Sequence, residues 1–135
     1  MKVSVVTACG NKKEKVPLPA WQLYKSSRIK AVYNRKGDTD MFILSAEFGL
    51  VPAEKIIPPY NRLMDEKRCS ELIPKIKEIV KNYDAIIFFK AGAGKLYEQC
   101  LSKACDESGV QLISFGHGFM AGINDLPKKI QEAKR

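Results

Sequence analysis

The chain has 135 residues, 45% of them hydrophobic, and carries 23 Lys and Arg against 15 Asp and Glu, a formal charge of +8. That is enough apolar matter for one core and little for a second, so a single α/β domain over residues 1–135 is expected. No apolar run approaches the roughly 20 residues of a membrane helix, and no basic-then-apolar leader opens the chain, so no membrane partner and a cytoplasmic location are expected.

The elements follow in order. Val3 to Ala8 is a short apolar run rich in β-branched residues and reads as a buried strand. A helical segment spans about Ala20 to Arg35, and Met41 to Ala46 repeats the strand pattern. Glu47 to Met64, with Pro52, Pro58 and Pro59, reads as one long irregular passage, of a length that often carries function. The next helix lies between about Glu66 and Tyr83, with Leu72, Ile73, Ile76, Ile79 and Val80 on one apolar face. Pro74 fits it if the helix starts near Ser70, the alternative being a kinked helix from about Asp65. Ala85 to Ala91 is a third strand, and Gly94 to Glu107 a helix whose stripe Leu96, Tyr97, Cys100, Leu101, Ala104 and Cys105 faces a core. Val110 to Phe115 is a fourth strand, and Leu126 to Arg135 a short or fraying charged helix. Strands alternating with helices imply parallel neighbours and right-handed crossovers. The expected fold is a three-layer α/β domain with a mainly parallel four-stranded sheet and helices on both faces.

In such sheets ligands bind beyond the carboxyl ends of the strands, and each strand here runs into small residues. The first reaches Cys9, Gly10, Asn11, Lys12 and Lys13, the second Ser45, Ala46, Glu47, Phe48 and Gly49, the fourth Gly116, His117 and Gly118. The third, Lys90-Ala91-Gly92-Ala93-Gly94-Lys95, sets Gly92 and Gly94 at a strand-to-helix turn between Lys90 and Lys95, suited to a phosphate, although it lacks the full spacing of a phosphate-binding loop and equally permits a plain tight turn. Cys9 is a candidate nucleophile that Lys12 and Lys13 can activate, or else a structural thiol. His117 and Glu47 are candidates for proton transfer, with a turn residue and a surface carboxylate as the plainer readings. Tyr60 offers a stacking face and Asn61 an amide able to pair with a base edge, though packing of the long loop explains Tyr60 as well. The four cysteines form no Cys-x-x-Cys pair and the one histidine stands alone, so neither a metal nor an organic cofactor is expected.

The ordered set Ala8-Cys9-Gly10-x-Lys12-Lys13, Pro19-Ala20-x-x-Leu23-Tyr24-x-Ser26, Ile43-Leu44-Ser45-Ala46-x-x-Gly49-Leu50-Val51 and Pro58-Pro59-Tyr60 resembles a family of uncharacterised prokaryotic domains. That family is similar to the peroxide-stress protein YaaA in its Leu-Ser-Ala-x-x-Gly-Leu and Pro-Tyr elements, with a fainter likeness to the uracil-DNA-glycosylase-like domain of archaeosine synthase. The resemblance implies an α/β fold and an association with nucleic acid or its bases, and singles out Cys9, Ser45, Glu47, Gly49 and Tyr60. Asn61 stands where the family commonly has Asp, which puts a catalytic carboxylate there in doubt.

The expectation is therefore a nucleic-acid- or nucleotide-associated protein, a nucleobase-modifying or base-hydrolysing enzyme. Lys12, Lys13 and the Gly92 to Lys95 turn would hold phosphate, with Ser45, Glu47 and His117 around the base. The alternatives are a non-catalytic nucleic-acid-binding stress protein and an enzyme acting on a small phosphorylated metabolite. An exposed apolar face or sheet edge would allow a homodimer.

Overall fold

The computed structural model describes residues 1–135. Strand β1 (Val3–Ala8) is followed by β2 (Leu18–Pro19), α1 (Ala20–Leu23), α2 (Ser27–Arg35), β3 (Asp40–Ser45), β4 (Gly49–Pro52) and β5 (Ile56–Ile57). Then come α3 (Glu66–Val80), β6 (Ala85–Phe89), α4 (Lys95–Ser108), β7 (Gln111–Phe115), a 3-10 turn at Ile123–Asp125 and α5 (Leu126–Lys134). The main sheet has the order β4-β3-β1-β6-β7. β3, β1, β6 and β7 run parallel, and β4 lies antiparallel along the edge of β3. No helix is long and apolar enough to cross a membrane.

Period-two alternation divides the sheet between two cores. Val3 and Val5 of β1, Ile43 of β3 and Ile87 and Phe89 of β6 pack under α1, α2 and α5, which bring Leu23, Ile29, Val32, Leu126 and Ile130. Val6 and Ala8, Leu44, and Ile86 and Phe88 face the other way, onto Leu72 and Ile76 of α3 and Cys100, Leu101 and Ala104 of α4. The expected three layers are present, and the continuous apolar runs follow from burial on both faces.

Three expectations need correction, and one that was left open is decided. The sheet has five strands, because Gly49–Pro52 leaves the supposed irregular passage and pairs with β3 from Phe42↔Pro52 to Ser45↔Gly49. The turn between them is built by Ser45, whose Oγ accepts from the amides of Glu47 and Phe48 at 3.1 Å, and by Gly49 at φ 77°. Pro52 closes the strand where an edge tolerates a missing donor. The same passage yields a second short strand, since Ile56–Ile57 pairs antiparallel with Leu18–Pro19. The Ala20 to Arg35 segment is two helices, broken by extended Tyr24 and restarted at Ser26, whose Oγ accepts from the Ile29 amide at 3.2 Å. Of the two starts left open for α3 the structure has the earlier: Asp65 caps it, its Oδ1 accepting from the Arg68 amide at 2.7 Å, and the helix continues through Pro74. An interior proline costs about 3 kcal/mol. Burying Leu72, Ile73, Ile76 and Val80 on the sheet returns about 1.5–3 kcal/mol for each.

Candidate functional site

β1 lies between β3 and β6, and the chain leaves β1 toward α2 on one face of the sheet but leaves β6 toward α4 on the other. Where neighbouring strands send their helices to opposite faces, the loops part and open a crevice beyond their carboxyl ends. A cavity of about 550 Å³ occupies that place. Its floor and walls are the loop after β1 (Ala8 to Lys12), the start of α2 (Lys25 to Arg28) and the Gly92 to Gly94 turn with Tyr97 of α4. Leu63, Met64 and Phe119 also line it, and Leu63 and Phe119 are 72% and 73% exposed.

Arg28 dominates the electrostatics. It falls on the buried stripe of α2 with Ile29 and Val32, and is only 7% exposed. Its Nη1 donates to Thr7 Oγ1 and, at 2.8 Å, to the Ala8 carbonyl, while Thr7 Oγ1 itself donates to the Phe89 carbonyl. These bonds fix the plane of the guanidinium. Nε and Nη2, which form the edge able to grip two oxygens at once, meet no protein acceptor, and no carboxylate pairs with the side chain. Burial lowers the Arg28 pKa from its usual value, and the neighbouring Cys9 opposes that shift. Gly92 makes room for this edge: at φ 72°, a Cβ there would lie 3.3 Å from Arg28 Nε.

The rest of the lining agrees in sign. Lys12 and Lys25 join Arg28, Lys25 being shared with Glu14 at 3.8 Å, and no Asp or Glu lines the cavity. Gly94 caps α4 without a side-chain acceptor, so the Lys95 and Leu96 amides of this 14-residue helix carry no partner at the end that lines the crevice through Gly94 and Tyr97. Cys9 is half-buried, with Sγ 3.5 Å from Tyr97 Oη. Burial, and then the bond to Cys9, raise the Tyr97 phenol well above its usual value.

Beside the crevice, on the β3 side, lies a polar cluster. Ser45 Oγ donates to Tyr60 Oη at 2.8 Å, and Tyr60 and Tyr24 share a bond of 2.6 Å. Burial raises the pKa of both phenols. Lys13 Nζ stands 4.4 Å from the centre of the Tyr60 ring, and Phe48 meets that ring edge-on. Glu47 carries its carboxylate 3.5 Å from Arg62, while Arg68 holds the Ala46 and Glu47 carbonyls at 2.7 and 2.6 Å.

Of the residues expected from sequence, the crevice thus gathers Cys9, Lys12, Gly92 and Gly94. Lys13, Ser45, Glu47, Gly49 and Tyr60 belong to the neighbouring cluster and its turn. Asn61 is exposed, Lys90 pairs with Glu98 at 3.8 Å, and Lys95 is an exposed residue opening α4. His117 is exposed in the loop that presents Phe119, a loop tied to the crevice where the Gly92 amide donates to the Gly118 carbonyl at 2.9 Å. Sequence reading passed over Arg28, Tyr97, Leu63, Met64 and Phe119. Only Arg28 had a visible signal, a charge set on the apolar stripe of a helix two residues past its serine cap.

Residues 4–123 match the profile of a family of unknown function (DUF6884), and the chain belongs to that family. No curated protein and no solved structure matches it.

Proposed function

We propose that this member of DUF6884 binds a nucleotide in the crevice between β1 and β6, with the phosphate innermost and the base at the rim. The observation that carries the reading is Arg28: a buried guanidinium that lines the cavity, has no carboxylate partner and is held by one nitrogen, which leaves Nε and Nη2 without a protein acceptor. A buried charge without a partner is costly, and an anionic ligand supplies what the fold withholds. The Gly92 and Ala93 amides are taken by the Gly118 and Lys90 carbonyls, so Gly94 and the first amides of α4 are the further donors to the same phosphate, and a volume of about 550 Å³ suits a ligand of nucleotide size. Leu63, Met64 and Phe119 supply an apolar and aromatic surface at the mouth, of the kind on which a base stacks.

The groups expected to act on a base, Ser45, Glu47 and His117, do not line the crevice, so the support is stronger for holding a nucleotide by its phosphate than for altering its base. The formal charge of +8 favours a second reading, in which the nucleotide is the end of a nucleic-acid strand.

Titration calorimetry with adenosine monophosphate, adenosine, inorganic phosphate and an oligonucleotide bearing a terminal phosphate tests this. The monophosphate is expected to bind more tightly than adenosine or phosphate alone. Equal affinity for adenosine and its monophosphate would remove phosphate from the crevice and overturn the reading. Preference for the phosphorylated strand over the monophosphate, falling steeply with salt, would select the strand form.

A further inference from the structure

We propose that Cys9 is a nucleophile, and that the crevice hydrolyses the phosphomonoester of a nucleoside monophosphate. This rests on the phosphate seat described above and adds a reaction to it. The chain has four free cysteines, and three of them, Cys69, Cys100 and Cys105, are buried between the sheet and α3 and α4. Cys9 alone of the four lines the cavity, just past the end of β1, and Arg28 lines it too. The Arg28 side chain is 7% exposed, with Nε and Nη2 unclaimed by the protein. Two oxygens of a phosphate gripped there would set the phosphorus beside Sγ, with a third oxygen toward the Gly94 amide at the start of α4, which no carbonyl takes. Lys12 and the absence of any lining carboxylate favour the dianion of a monoester over a neutral ligand.

Tyr97 completes the arrangement, its Oη lying 3.5 Å from Cys9 Sγ. In the first step sulfur attacks phosphorus, the S–P bond forms and the ester P–O bond breaks. The thiol proton passes to Tyr97 Oη as the phenol gives its own proton to the departing sugar oxygen, which leaves as the nucleoside. In the second step water attacks the S-phosphocysteine, the P–O bond forms and the S–P bond breaks. The water proton returns to sulfur through Tyr97, and inorganic phosphate leaves. Atoms and charge balance over the cycle, with water as the only co-reactant.

The experiment incubates the full chain with adenosine monophosphate and with para-nitrophenyl phosphate, follows released phosphate, and maps the acid-quenched protein by mass spectrometry. Phosphate on Cys9 is expected, together with a loss of at least about a thousandfold in turnover for Cys9→Ser and Cys9→Ala. Both variants should keep their affinity for adenosine monophosphate within about tenfold by calorimetry, since Arg28 is untouched. Tyr97→Phe should slow the adenosine monophosphate reaction by about a hundredfold and the para-nitrophenyl phosphate reaction by less, since that leaving group needs no proton while with either substrate the thiol and the attacking water lose theirs through Tyr97. Melting curves establish that each variant is folded, and native alkylation of wild-type Cys9, slowed by phosphate, gives a readout free of substitution. Binding without turnover or label, or wild-type turnover by Cys9→Ala, overturns the nucleophile and leaves the phosphate seat standing. No binding of adenosine monophosphate overturns both.

Discussion

Replacing Arg28 by methionine should separate what this side chain does for a ligand from what it does for the fold. Methionine keeps the length and apolar stem that α2 packs beside Ile29, so little volume is lost. Two Nη1 bonds disappear, to Thr7 Oγ1 and the Ala8 carbonyl, at a cost of about 3–6 kcal/mol together. Against that, a charge buried without a counter-ion is removed, which relieves several kcal/mol. Thr7 Oγ1 still has the Phe89 carbonyl as acceptor, so no buried donor is orphaned. The net change in stability should fall within about 1 kcal/mol of wild type, and the melting temperature should hold or rise. Binding responds differently, because a bidentate charge-assisted pair is lost with nothing to replace it. Affinity for adenosine monophosphate should drop on the order of a hundredfold, a difference of roughly 3 kcal/mol. Thermal unfolding and calorimetry on the same samples measure both quantities. A loss of stability beyond about 2 kcal/mol with affinity unchanged would make Arg28 a structural strut and refute the reasoning.

Phe119→Ala removes a side chain 73% exposed, so stability should move by less than about 0.5 kcal/mol. Affinity for adenosine monophosphate should weaken by about tenfold and that for inorganic phosphate should not change, as competitive titration would reveal. Ser45→Ala strips the turn between β3 and β4 of the oxygen that accepts from Glu47 and Phe48 and donates to Tyr60. It should lower the urea midpoint by the equivalent of about 2–3 kcal/mol, and a variant that keeps its midpoint while losing ligand would move Ser45 into the site. Gly116→Ala places a Cβ 2.6 Å from the Phe89 ring at φ 92°, and chemical denaturation should show a loss of at least about 2 kcal/mol. In native protein a thiol reagent should label Cys9 alone, because Cys69, Cys100 and Cys105 are buried and burial pushes the Cys105 thiol up to about 11; peptide mapping checks the site.

Much of the architecture was legible because its signals are local. Val3 to Ala8, Met41 to Ala46 and Ala85 to Phe89 are dominated by apolar residues, as strands buried on both faces need, and Val110 to Phe115 carries a weaker form of the pattern at the edge of the sheet. The stripe from Leu96 to Cys105 has the period of a helix lying on a sheet, and α4 occupies it. Glycines after each of these strands marked the end of the sheet where the crevice lies. β4 was hidden because Gly49–Pro52 is a strand only by virtue of the free edge that β3 offers it, and four residues carry no period of their own. The start of α3 stayed open between Asp65 and Ser70 because Pro74 weighs heavily within its own turn, whereas the burial that overrides it comes from a sheet assembled elsewhere.

The amino-acid sequence by itself thus determined the layers, the parallel strands and the end of the sheet at which small residues gather, since each depends on patterning within a few neighbouring residues. The tertiary structure alone decided what stands together there. It set Arg28 against the end of β1, freed its outer edge by tying Nη1 to Thr7 and Ala8, and brought Tyr97 to Cys9 across 88 positions of chain. It also drew Ser45, Tyr24, Tyr60 and Glu47 away into a neighbouring cluster and its turn. Hydrogen bonds between residues so far apart leave no periodic trace in a sequence; they exist only once two separate cores have closed on the two faces of one sheet.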